Sequence, residues 1–215
     1  MKEYKLPIGC DVPETIILAD GDFPSHPLAL EWLRQCPYVV CCDGAANTYI
    51  RSGRMPEAIV GDGDSLLPDI KERYASLIHS EAEQETNDLS KAFRFCLSQE
   101  RRRITIMGAT GKREDHTIGN VSLLADYMEQ AEVSMMTDYG IFVPIREDSM
   151  FESYIGQQIS VFNMNSTALS AEGLAYPLSV FTNWWQGTLN EALARHFIIP
   201  VSYTHLRAHE TCADL

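Results

Sequence analysis

Positive charge is what this chain has least of. Its 17 Lys and Arg face 30 Asp and Glu, leaving a formal net charge of −13. Nucleic-acid binders cluster Lys and Arg to neutralise phosphates, and no basic stripe offsets the deficit here, so nucleic acid is not expected as a partner. Long apolar runs are missing as well. None approaches the roughly 18 residues of a membrane span, and the opening Met1-Lys2-Glu3-Tyr4-Lys5 is polar and charged rather than a secretory segment. The cysteines at 10, 36, 41, 42, 96 and 212 have no CxxC spacing. They read as reduced core residues of a cytoplasmic protein, not as a disulfide framework. No internal repeat and no low-complexity linker interrupts the chain.

What remains is an ordinary globular composition. An apolar share of 45% over 215 residues supports a real core in one large domain or two small ones. The first two-thirds alternates short apolar runs with amphipathic stretches, the βαβ signal. Strands are expected at 15–19, 38–42, 58–60, 103–107 and 133–137. Helices are expected at 26–34, 45–52, 68–77, 88–99 and 117–130. In the helix from Asp88, the residues Leu89, Ala92, Phe93 and Cys96 repeat at i, i+3, i+4 and i+7. After about residue 140 strand-like runs follow one another without a long helix. The expectation is an N-terminal α/β domain with a mostly parallel sheet over 1–140, then a small all-β sandwich domain over 141–200. Residues 201–215 resemble translated sequencing-adapter sequence, with neither strand alternation nor a helical stripe. They are set aside as a non-native tail, with the natural chain interrupted near Pro200.

Aspartates mark the ends of the expected strands. Asp43 follows Tyr38-Val39-Val40-Cys41-Cys42, and Asp62 and Asp64 follow Ala58-Ile59-Val60-Gly61. Asp88 opens a helix, and Asp115 lies in the turn after Ile104-Thr105-Ile106-Met107. In an open parallel sheet the loops at the carboxyl ends of the strands converge on one crevice. Carboxylates gathered there repel one another unless a cation joins them. Oxygen clusters that also meet phosphate suit Mg²⁺, so a Mg²⁺–nucleotide site is expected.

Each motif has a plainer reading beside the functional one. In Gly61-Asp62-Gly63-Asp64-Ser65, continued strand geometry points both carboxylates to one side, but these are also turn residues. Asp43-Gly44-Ala45-Ala46-Asn47 could seat a phosphate near backbone N–H groups, or Asp43 could be an N-cap. Asp88 could orient a metal-bound water or substrate hydroxyl while Lys91 neutralises phosphate; equally, Asp88 caps its helix and Lys91 is solvated. Gly108-Ala109-Thr110-Gly111-Lys112-Arg113-Glu114-Asp115-His116 is the most specific stretch, because glycines and a guanidinium suit a triphosphate. It is not a P-loop, since only two residues separate the glycines. In Trp184-Trp185-Gln186-Gly187-Thr188-Leu189-Asn190, read as strand, one Trp can be core and the other can stack on a ring.

In this order the motifs resemble the thiamine pyrophosphokinase family from about Thr15 to Ile199. The departures are Asn87 for a usual Thr, Lys112 for the second Gly of a pair, and Leu189 where Ser is common. The resemblance implies a homodimer that transfers a pyrophosphoryl group from ATP to the hydroxyl of thiamine, releasing AMP. Carried onto this sequence, it implies Mg²⁺ at Asp62 and Asp64 with Asp43 and Asp88 in support, and Asp88 receiving the hydroxyl proton. Nucleotide contacts fall to Gly44, Asn47, Ser65, Lys91, Gly108, Gly111, Arg113, Asp115 and His116. Thiamine contacts fall to Tyr176, Trp184 or Trp185, with Thr188 and Asn190 hydrogen-bonding. Two other functions remain open on the residues alone: an aspartyl-phosphate phosphatase using Asp62 as nucleophile, and a non-catalytic nucleotide- or thiamine-binding module.

Overall fold

The computed structural model describes residues 1–7, 12–81, 85–164 and 166–201, and the backbone of 209–214. The chain divides into two compact units, Val12–Asp138 and a second made of Met1–Asp11 with Tyr139–Leu215. Strand β1 (Lys2–Tyr4) belongs to the second unit. The first unit runs β2 (Thr15–Leu18), α1 (Pro27–Gln35), β3 (Val39–Cys42), α2 (Ala45–Arg51), β4 (Ala58–Gly61), α3 (Pro68–Arg73) and β5 (Ile78–Ser80). It continues with α4 (Asp88–Ser98), β6 (Arg103–Met107), α5 (Glu114–Tyr127) and β7 (Glu132–Met136). The second unit continues with β8 (Gly140–Ile145), β9 (Ser149–Glu152), β10 (Gln158–Asn163), β11 (Asn190–Glu191), β12 (His196–Ile199) and β13 (His209–Asp214).

In the first unit six strands pair in parallel in the order β5-β4-β3-β2-β6-β7. Strands β2, β3 and β4 are buried along their whole length, as parallel strands covered on both faces must be. The order progresses outward from β2 to β5, then α4 carries the chain back to the other side of β2. The switch point therefore lies between β2 and β6, where ligands bind in open α/β sheets. The expected stripe on α4 is buried as Leu89, Ala92, Phe93 and Cys96. Phe93 stacks on Tyr127 of α5 with ring centroids 3.9 Å apart, and the Tyr127 hydroxyl shares a 2.8 Å hydrogen bond with Ser90 Oγ. Truncating a packed aromatic of this kind costs about 3–5 kcal/mol.

The second unit holds a three-stranded sheet, β1-β9-β12, and the ordered strands β11-β10-β13-β8. Its buried core draws on both, with Phe151 and Phe197 from the first and Ile145, Ile159 and Val161 from the second. Register places Tyr4 opposite Phe151 and Phe151 opposite Phe197. Their rings stack as a ladder at 4.7 and 4.9 Å, the cross-strand pairing that stabilises sheets. The same ladder explains why β1 lies with this unit and not with the α/β unit that follows it in sequence.

The tail departs from its expectation of no strand. β13 pairs antiparallel with β10 on one side and β8 on the other. The backbone groups of β8 and β10 need partners, and backbone pairing asks little of side-chain alternation. Cys36, Cys41, Cys42 and Cys96 are free thiols, the last three buried. Burial pushes the Cys96 thiol up to about 12. Cys10 lies outside the described residues, as does the side chain of Cys212. Among the described residues no helix is long and apolar enough to cross a membrane.

Candidate active site

A cleft of about 340 Å³ opens at the carboxyl ends of β2, β3 and β6 and the start of α4. Its walls are the loops after those strands, so the switch point and the cleft coincide. Of the expected site residues, Asp43, Gly44, Ser65, Asp88, Gly111, Arg113 and His116 line it. Asp20, Asn87, Lys112 and Asn120 line it too, although none of these was singled out as a site residue.

Asp43 is the most constrained member. It is buried at 4% exposure, with a positive φ of 29°, a conformation uncommon outside Gly, Asn and Asp. Oδ2 accepts a 3.0 Å hydrogen bond from the Ser65 N–H, so Asp43 does not cap α2. Oδ1 is buried with no partner. Burial raises the carboxyl pKa above its usual value, and the nearby carboxylates of Asp88 and Asp62 raise it further. Gly61 permits this convergence: a Cβ there would lie 2.8 Å from Asp43 Cβ and 3.3 Å from Asp88 Cγ.

Asp88 does not cap α4. Asn87 does, its Oδ1 accepting from the Ser90 N–H at 2.9 Å. Asp88 instead pairs with Lys91, Nζ to Oδ1 at 3.1 Å, and Lys91 is buried rather than solvated. The helical i, i+3 spacing sets that pair. The Cys42 thiol lies 3.7 Å from the Asp88 carbonyl as donor, and burial keeps that thiol protonated.

The Gly61–Ser65 segment does not continue as strand. It turns, with the Asp64 N–H donating to Asp62 Oδ1 at 3.0 Å and Gly63 at φ 78°. Of the two readings the turn holds, so the same-side projection of an extended strand does not apply, and Asp64 is exposed. Asn47 is spent on this loop, donating to the Ser65 carbonyl at 2.8 Å and accepting from the Leu67 N–H at 3.0 Å.

Opposite, α5 begins earlier than expected, at Glu114, so Asp115 sits in its first turn with Arg113 at the N-cap position. Arg113 grips Asp115 through two hydrogen bonds, 3.1 and 2.5 Å, which hold the Asp115 carboxyl below its usual range. Asn120 donates to the Ala109 carbonyl at 2.8 Å and accepts from Asn87 Nδ2 at 3.2 Å, tying α5, α4 and the β6–α5 loop together. The β2–α1 loop is fixed by Asp138, which accepts from the Ser25 and His26 N–H groups at 2.9 Å. Burial alone would raise that carboxyl, but these donors and the Ser25 hydroxyl bring it below the usual value. Nothing near residue 138 in sequence signals this contact, since its partners are 112 and 113 residues away.

The thiamine-contact expectations fall in the second unit. Trp184 and Trp185 are not in a strand: Trp184–Gly187 is a 3₁₀ helix with a capping box between Asn183 and Gln186. Reciprocal side-chain-to-backbone hydrogen bonds at both ends of the turn win over the β propensity of Trp. Trp184 packs edge-on against Phe162, centroids 6.1 Å apart, while Trp185 is 72% exposed. Tyr176 is also exposed. Thr188 donates to the Trp185 carbonyl at 2.7 Å. Asn190 is buried and clamps Tyr176, accepting from its N–H at 3.0 Å and donating to its carbonyl at 2.8 Å.

Among the described residues no three His, Cys, Asp or Glu side chains stand close enough to hold a metal ion by themselves. The orphaned Asp43 Oδ1 and the mutual repulsion of Asp43, Asp88 and Asp62 nevertheless fit a cation. Mg²⁺ is commonly held by one or two carboxylates plus substrate phosphates and water, so a full protein cage is not required.

A doubly wound α/β unit with an acidic cleft at its switch point, joined in sequence to a β-rich unit, defines the class. Two family models divide the chain at nearly the same place: the catalytic domain of thiamin pyrophosphokinase over residues 29–136 and its substrate-binding domain over 140–206. The chain belongs to the thiamine pyrophosphokinase family. It is 30% identical to thiamine pyrophosphokinase 1 of Oryza sativa subsp. japonica, over 48% of this chain and 49% of that one. With thiamine pyrophosphokinase of Bacillus subtilis (strain 168) the identity is 34%, over 38% and 40% of the two chains. The chain thus spans about half the length, or less, of these relatives. The fold matches solved thiamine pyrophosphokinases from Bacillus subtilis (TM-score 0.76, 19% identity, 93% of this chain and 98% of that one) and yeast (TM-score 0.76, 14% identity, 100% and 91%).

Proposed function

We propose that the protein transfers a pyrophosphoryl group from ATP to the hydroxyl of thiamine, giving thiamine diphosphate and AMP. The observation that carries this reading is the buried, unpartnered Asp43 Oδ1, beside Asp88 and opposite Arg113 in a cleft at the switch point. Such a site holds a cation against an anion. Asp43, Asp88 and Asp62 are the residues that would hold Mg²⁺; the exposed Asp64 is the weaker member of the expected set. The ion supplies charge neutralisation of the phosphates. The protein's own share is positioning, which dominates phosphoryl transfer. Arg113 exchanges Asp115 for phosphate oxygens, a fork that fits either. Lys91 fixes the Asp88 carboxylate, which receives the proton of the thiamine hydroxyl. Trp185 and Tyr176 present exposed rings for stacking on the thiamine ring. A homodimer and a cytoplasmic location belong to the same proposal.

The phosphatase reading requires Asp62 as a nucleophile, and its Oδ1 already accepts from its own turn. The test is to incubate the chain with Mg²⁺, ATP and thiamine and separate the adenine products. Thiamine-dependent AMP together with thiamine diphosphate supports the proposal. ADP or free phosphate in place of AMP overturns it, and ligand binding without turnover returns the chain to a binding module.

A further inference from the structure

Lys112 occupies the left-handed region, with φ at 58°, where glycine costs least. It thereby projects a long cationic side chain at the switch point, from the loop after β6 towards the loop after β2. Its Nζ donates to the Asp20 carbonyl at 2.9 Å and lies 3.1 Å from Asp20 Oδ1. Asp20 Oδ2 in turn packs so closely on the β3–α2 turn that a Cβ on Gly44 would sit 2.5 Å from it. Asp20, Gly44 and Lys112 all line the cleft, and the paired side chains are about half exposed to solvent, 54% for Lys112 and 48% for Asp20. The neighbouring cation is arranged alike, Arg113 being gripped by Asp115.

We propose that Lys112 is an additional phosphate-binding residue for the polyphosphate of the nucleotide, and that Asp20 is a positioning residue whose carboxylate holds the ammonium in place until phosphate displaces it. This rests on the ATP reading above. The physical reason is charge balance. A cleft lined by Asp20, Asp43 and Asp88 opposes a polyanion, and a second cation beside Arg113 reduces that opposition. An ammonium has three donors and binds phosphate as a point charge, so it can change partners by a small rotation of its stem. The pair is exposed, so little stability is lost when it opens.

Binding of ATP in the presence of Mg²⁺ and without thiamine, followed by calorimetry at several salt concentrations, tests the inference. Lys112→Gly suits the local backbone and so folds. It is expected to weaken ATP binding about tenfold, the scale of one charge-assisted hydrogen bond at a wet site, and to flatten the salt dependence of the affinity. Lys112→Arg is expected to restore both. Asp20→Asn keeps the Asp20 carbonyl as an acceptor but removes the carboxylate charge that competes with phosphate for the ammonium, and is expected to tighten ATP binding several-fold, a gain that disappears in the Asp20→Asn, Lys112→Gly double variant. A merely structural tie predicts the same sign for both single variants, and that result, or unchanged affinity in Lys112→Gly, overturns the proposal. If the unaltered chain makes AMP from ATP and thiamine while Lys112→Gly binds ATP normally, only this inference falls. If the unaltered chain binds no ATP, both readings fall.

Discussion

The two units use asparagine in opposite ways. In the α/β unit, Asn87 and Asn120 reach between elements: one caps α4 and extends to α5, and the other extends from α5 to the loop after β6. Their amides hold the walls of a cleft in place. In the β-rich unit, Asn190 spends its amide on one residue, accepting from the Tyr176 N–H and donating to the Tyr176 carbonyl. A polar residue inside a ligand-like motif is therefore judged by where its hydrogen-bonding groups are spent. The α/β unit also keeps an unspent one, Asp43 Oδ1, in a strained backbone position. Strained backbone persists where the surrounding structure over-determines it, and strain and unsatisfied buried groups cluster at functional sites.

Asp43→Asn tests the sharpest side of that contrast. Turnover is expected to fall at least about 100-fold, the scale of removing one aligned electrostatic group. Melting temperature is expected to hold or rise, because burial and two neighbouring carboxylates oppose the charged form of Asp43 in the folded chain, and Asn tolerates the positive φ. A large loss of stability in thermal unfolding would show that Asp43 is structural after all, and the contrast between the units would collapse.

The next largest effect lies in the other unit. Removing 201–215 takes away β13 and leaves β8 and β10 each with an unpaired edge. At about 1 kcal/mol for each lost backbone hydrogen bond, stability is expected to fall by several kcal/mol. Thermal unfolding of the shortened chain, with light scattering to detect edge-to-edge association, checks this. A melting temperature within a degree or two of the full chain would show that the segment is a passenger.

Asn190→Ala is expected to cost about 1–3 kcal/mol, because it removes two hydrogen bonds to the Tyr176 main chain, each worth about 0.5–1.5 kcal/mol. Denaturant midpoints measure it directly. Asn120→Ala, whose amide is only half-buried, is expected to cost less stability than Asn190→Ala. Equal costs would erase the distinction between a tie that joins several elements and a clamp on one residue.

Much of the α/β unit was legible because its signals are local. Apolar runs of four or five residues gave β2, β3, β4, β6 and β7, and the i, i+3, i+4 stripe gave α4. Strand-end carboxylates pointed to the cleft for the same reason: a parallel sheet puts every strand's carboxyl end on one side. Asp20, Asn120 and Asp138 were not legible, since their partners lie 11 to 113 residues away and no short pattern encodes them. Of the two readings of Asp62–Asp64 the chain takes the turn, because alternation holds only while the chain stays extended and Gly63 lets it leave that path. In the β-rich unit, β9 and β13 escaped notice because their pairing is set by neighbouring strands more than by their own side-chain pattern.

The smallest expected effect separates the two adjacent tryptophans. Trp184 packs edge-on against Phe162, an arrangement worth about 0.5–1.5 kcal/mol beyond burial. Trp185 is 72% exposed, so its truncation is expected to shift stability by no more than about 0.5 kcal/mol. If Trp185 stacks on the cationic ring of thiamine, the interaction is worth about 0.5–1 kcal/mol at such an exposed site. Trp185→Ala should then raise the KM for thiamine two- to fivefold, with kcat, the KM for ATP and the melting temperature little changed. The reverse pattern, an unaltered thiamine KM in Trp185→Ala and a raised one in Trp184→Ala at equal stability, would transfer the stacking role to Trp184. It would also mean that the Phe162 contact orients a ligand-binding ring instead of only packing a half-exposed one.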